Sequence, residues 1–146
     1  MKTSIRIVGA AAVLSVTAAI AHSAVENEAV KARMDSMSTI GMSLKTLGDM
    51  AKGTTDFDAA PANAAIDAVA AEAATIPTLF EPQETDPESE ALPAIWENWD
   101  DFTAKAGDLE TAATNASGSI ASVEDIGAAM QAIGPTCMAC HREYRE

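Results

Sequence analysis

Little in this 146-residue chain advertises a site. It has two cysteines, too few for a disulfide scaffold or a four-cysteine metal centre. Aromatic residues make up 4%, so the core must be built from aliphatic side chains. Lys and Arg number nine against 22 acids, a formal charge of −13, which argues against nucleic acid as a partner. No stretch alternates apolar and polar residues with the period of a strand, and no unit of solenoid length recurs. No paired carboxylates, nucleophile with a base, or glycine-rich phosphate loop stands out, so the chain is read as not an enzyme.

What is present begins with the leader-like stretch MKTSIRIVGAAAVLSVTAAIAHSA. Lys2 and Arg6 precede an apolar run from Ile7 to Ile20, and small residues follow it, the order of a secretory signal peptide. Cleavage after Ala21 or after Ser23 fits equally. The run is short for a membrane span. Residues 1–23 are therefore expected to be removed and residues 24–146 to form one exported, periplasmic domain without a membrane anchor, large enough for a real core. Losing Lys2 and Arg6 leaves 22 acids against seven bases. That excess suits either a docking face for a basic partner or a merely solvated surface.

Four stretches space their apolar residues at alternating steps of three and four, the seam of packed helices. The first runs Val30, Arg33, Met37, Ile40, Leu44, Leu47, Ala51 and stops near Gly53. In the second, Pro61 opens the helix, Ile66, Val69, Ala73 and Ile76 share a face, and Pro77 is expected to close it. The third carries Ile95, Trp99, Phe102, Ala106, Leu109, Ala113 and Ala116; the fourth carries Val123, Ile126, Met130, Ile133, Cys137, Cys140 and Tyr144. An acidic, proline-rich loop, EPQETDPESEALP, separates the second from the third. The expected fold is all-α, an antiparallel up-down-up-down four-helix bundle. Pro135 sits inside the fourth stretch, where a kink near Gly134 is expected rather than a break.

Both cysteines lie on the inward seam of the fourth stretch, within GPTCMACHREYRE. A zinc site would need four ligands, and the mature chain offers Cys137, Cys140, His141 and at most His22. A thioredoxin-type dithiol would sit near a βαβ pattern, and none is present. Covalent attachment of one haem c answers the arrangement. Two thiols a helical turn apart reach two vinyl groups on one porphyrin edge, and the next imidazole, His141, becomes the proximal iron ligand. A single haem c inside a helical bundle suits an electron carrier, whose basic redox partner would meet the acidic surface.

With that motif at the end of its last helix, the sequence resembles the class II c-type cytochromes, which include cytochrome c' and its low-spin relatives such as cytochrome c-556. AVKARMDSM…GDMAKG in the first helix and PAIWENWDDF opening the third carry the likeness along most of the mature chain. The resemblance implies a bundle with covalently bound haem near one end and a homodimer. It puts Met37 at the position facing the distal side of the haem, as iron ligand or as a filler that covers an open iron. It gives Arg33 a haem propionate as partner; a guanidinium on an apolar seam needs an anion unless it snorkels to water. It places Arg145 beside the proximal histidine, where it tunes that ligand or simply faces solvent. Trp96, Trp99 and Phe102 read as packing. Two functions stay open at this point: electron transfer with Met37 as distal ligand, or capture of a diatomic gas, nitric oxide or carbon monoxide, at an open iron.

Overall fold

The computed structural model describes residues 25–146; the leader expected over residues 1–23, and His22, lie outside them. Among the described residues the fold has four long helices and one single-turn helix: α1 (Glu28–Ala51), α2 (Ala59–Phe80), α3 (Ala94–Glu97), α4 (Trp99–Ala116) and α5 (Val123–Tyr144). α1 packs on α2, α2 on α4 and α4 on α5, and the ring closes through a sparse α5–α1 seam. This is the expected all-α, up-down-up-down four-helix bundle. No helix among the described residues is long and apolar enough to cross a membrane.

Three of the four long helices, α1, α2 and α5, start where a side chain supplies an acceptor for their free N–H groups, whereas α4 follows Asn98 without a side-chain cap. Asn27 Oδ1 accepts from Val30 N at 3.0 Å, and Asp58 Oδ1 accepts from Ala60 N at 2.9 Å. Before α5, Ser122 Oγ accepts from Asp125 N while the Asp125 carboxylate accepts from Ala121 N, a reciprocal box. Gly53 ends the segment after α1 at φ +69°, a conformation that favours glycine. Asn63 of α2 pairs its amide with both backbone groups of Ile120 (2.8 and 3.1 Å), fastening the α4–α5 connection.

The core is aliphatic, with Leu47, Ile66, Val69, Ile95, Ile126 and Ile133 fully enclosed. Burying one such side chain stabilises by roughly 1.5–3 kcal/mol. Alanines Ala62, Ala65 and Ala73 of α2 are buried too, which lets its neighbours come close. The seam ends are less buried than periodicity suggested: Ala51 and Val123 are exposed.

Two helix boundaries correct the sequence expectation. Pro77 does not close α2, which continues to Phe80. The extra turn buries Phe80, whose ring lies 5.1 Å from that of Phe102, and it delivers Leu79 O to a side chain of α1. Those contacts outweigh the bond that Pro77 removes. The third stretch is not one helix, because Asn98 (φ −125°, ψ 48°) separates α3 from α4. α5, by contrast, passes unbroken through Pro135.

Candidate cofactor site

Half-burial on the inward faces of α1 and α5 marks the site. Along α1, Ser36, Ile40, Leu47 and Met50 are enclosed, whereas Met37 and Leu44, further round the same helix, are only half-buried. Along α5, Ile126, Ala129 and Ile133 are enclosed, whereas Met130, Cys137, Cys140 and His141 are half-buried. Met37, Leu44, Met130 and both cysteines still pack against the core. α1 and α5 barely touch, and Met37 and Leu44 on the one and Met130, Cys137 and Cys140 on the other are only half-buried, so these side chains are available to a flat apolar group seated along the seam. The residues present fit haem c: two free thiols, Cys137 and Cys140, on the core side of α5, with His141 after them.

Electrostatics keep these groups neutral. Burial pushes the Cys137 thiol up, and it pushes the Cys140 thiol up to about 11. Burial also lowers His141, and the Arg145 guanidinium lowers it further against the opposing pull of Glu90. A neutral imidazole keeps the lone pair that iron requires.

Arg33 is only 3% exposed. Its Nε donates to Leu79 O at 2.9 Å, its Nη1 to Glu84 O at 2.8 Å, and its Nη2 to Pro82 O. Its guanidinium carbon stands 5.0 Å from the Phe80 ring and 5.4 Å from the Trp96 ring. The buried cation is thus met by carbonyl dipoles and two aromatic rings, a solution that seam periodicity alone does not suggest. Burial lowers its pKa, with the Glu84 charge acting the other way. Three of five guanidinium N–H groups are engaged, which leaves two.

Arg145 forms a salt bridge with Glu90, its Nε donating at 2.6 Å. The same loop clasps both ends of the described chain. Asp86 Oδ2 accepts from Glu26 N at 3.0 Å and Asn27 N at 3.1 Å, while Leu92 N donates to Tyr144 O at 3.0 Å.

Sequence reasoning missed Lys105. Its ammonium pairs with Asp101, lies 3.7 Å from Glu143 and 5.8 Å from the Tyr144 ring centre, and is near enough to Cys140 to act on its thiol. The one available signal was the Asp101-to-Lys105 spacing of four residues, common on helix surfaces. Ser36 was missed as well: its Oγ is buried with no hydrogen-bond partner, one residue before Met37.

A family model described as Cytochrome C' matches residues 28–145. A cytochrome c-556 of Agrobacterium tumefaciens (strain II Chrys) is 38% identical over 117 residues, 80% of this chain and 95% of that protein. Among solved structures, cytochrome c' from Rhodopseudomonas palustris superposes with a TM-score of 0.76 at 28% identity, covering 83% of this chain and 98% of that one. A structural model of oxidized cytochrome c556 from R. palustris reaches 0.75 at 30% identity, covering 82% and 96%. Sequence, bundle and terminal Cys-x-x-Cys-His lead to one conclusion: the chain belongs to the cytochrome c' family, haem c proteins of electron transfer or gas binding, with Cys137 and Cys140 as its pair of attachment thiols.

Proposed function

We propose that this protein is a periplasmic electron carrier, exported by residues 1–23 and folded over residues 24–146, in which His141 is the proximal and Met37 the distal iron ligand. The observation that carries this reading is the half-buried Met37 on the α1 side of the loosely packed seam, with Cys137, Cys140 and His141 on its α5 side. Haem c supplies the one-electron couple. Cys137 and Cys140 anchor it as thioethers, and a soft Met37 thioether favours the reduced metal, raising the potential. Arg33 holds a propionate with the two N–H groups left by its carbonyl partners. Arg145 stands near His141 and adjusts its basicity while tied to Glu90. The protein turns over no substrate. It exchanges electrons with a basic partner, which its excess of acids suits, and forms a homodimer, as the family resemblance implies.

A second reading has Met37 covering an open iron that takes nitric oxide or carbon monoxide. It is favoured by the match to cytochrome c' from R. palustris, 30% identical over 124 residues, beside the c-556 relatives. The visible spectrum of the purified holoprotein decides between them. Sharp ferrous bands unchanged by carbon monoxide support Met37 ligation; a broad high-spin spectrum that shifts with the gas rejects it. An intact mass equal to the bare processed polypeptide would remove both.

A further inference from the structure

Between residues 81 and 101 the chain carries eight carboxylates and no Lys or Arg. Several are answered internally: Glu84 by the Asn27 amide, Asp86 by backbone N–H groups, Glu90 by Arg145, and Asp101 by Lys105 and Tyr144. Among the described residues, Glu81, Glu97 and Asp100 have no ion pair and no side-chain hydrogen bond. These three share the walls of two adjoining shallow depressions with Gln83, Trp96 and Trp99. Both tryptophans are half-buried and line both depressions. Nothing basic lines either one.

The aromatic part of this surface is held still. Trp96 donates from Nε1 to Phe80 O at 2.7 Å and has the buried Arg33 guanidinium 5.4 Å from its ring. Trp99 packs on Phe102 with ring centres 5.7 Å apart, and Phe102 meets Tyr144 edge-on at 5.4 Å. Asn98 breaks the helix between them. Rigid aromatic anchors bind at low entropic cost, and an indole face beside unpaired carboxylates suits an ammonium or guanidinium group. The depressions are open and shallow, which suits side chains presented by a protein surface more than an enclosed small molecule. The groove also lies at the end of the bundle that holds the attachment segment, since Leu92 N bonds to Tyr144 O and Ala91 bridges to Arg145.

From this placement we infer that the Trp96–Trp99 groove, rimmed by Glu81, Glu97 and Asp100, is where a lysine-rich face of the redox partner docks. The inference rests on the electron-carrier reading and supplies the location that charge composition left open. A second copy of this chain is a poor occupant, because it brings the same acidic charge.

The test titrates 15N-labelled holoprotein, its haem verified by visible spectrum, with a nine-residue oligolysine peptide. Saturable shifts are expected at the Trp96 and Trp99 indole N–H groups and the amides of residues 97–100, with binding about tenfold weaker in 0.2 M than in 0.02 M salt. The triple variant Glu81→Gln, Glu97→Gln, Asp100→Asn is expected to bind about tenfold more weakly. A variant of equal charge altered elsewhere, Asp56→Asn, Asp108→Asn, Glu110→Gln, binds as the parent does. Equal weakening in both variants, or shifts scattered over the surface, overturns the site. Shifts at the groove that follow protein concentration without peptide overturn it in favour of self-association. A sample without a haem spectrum defeats the electron-carrier reading instead, whatever the peptide does.

Discussion

The hydroxyl of Tyr144 donates to the Asp101 carboxylate at 2.5 Å, joining the last turn of α5 to the first turn of α4. Lys105 pairs with the same carboxylate oxygen. Tyr144 is the chain's only tyrosine, so its titration can be read without ambiguity.

The bond to ionised Asp101 raises the phenol from 10.0 to about 12. The neutral phenol is the form the fold favours. Its contribution to stability is therefore fully present below pH 10 and fades as pH rises towards 12. Tyrosine labelled with 13C at Cζ should titrate near 12, and Asp101→Asn should bring the midpoint back towards 10. A midpoint of 10 in the parent protein would show that the bond does not form.

Replacing Arg33 with leucine strands the carbonyls of Leu79, Pro82 and Glu84 at once. Denaturant unfolding of the holoprotein should show a loss of about 3 kcal/mol. Arg33→Lys keeps the charge, but a single ammonium lacks the planar fork, so it should recover less than half of that loss. If Arg33 served only a propionate, lysine would restore most of it.

Met37→Leu should convert a low-spin ferrous spectrum to a high-spin one that responds to carbon monoxide, and should lower the reduction potential. Met130→Leu and Met34→Leu should leave the bands in place. A spectrum untouched by Met37→Leu would reject ligation by that thioether.

Ser36 Oγ is enclosed without a partner, a state that costs about 1–3 kcal/mol. Ser36→Ala removes the orphan and also places a better helix former in α1, so thermal unfolding should move upward by the equivalent of about 1 kcal/mol. A downward move would mean that the hydroxyl has a partner in the holoprotein.

The bundle was legible because its signals are periodic. A 3.6-residue pattern needs no knowledge of what lies across the interface, and Ile66, Val69, Ala73 and Ile76 are all buried as that pattern requires. Attachment chemistry was legible because it is local, confined to the pair Cys137 and Cys140. What escaped depended on other segments. Pro77 reads as a stop until Phe80 and the Arg33 bond to Leu79 are known, and Asn98 interrupts a stretch whose apolar spacing runs on without a fault. Arg33 was legible as a buried cation in need of compensation. Three of the groups that answer it are backbone carbonyls, which every residue carries, so no sequence pattern could nominate them.

The clasp formed by residues 86–92 draws the start of α1 and the tail beyond α5 to a common anchor point. Topologically the domain is almost a ring with a small gap. A short glycine-serine tether from Glu146 to Val25 should therefore close it without strain, and fresh ends opened at Gly53–Thr55 should yield a circular permutant that keeps its haem spectrum.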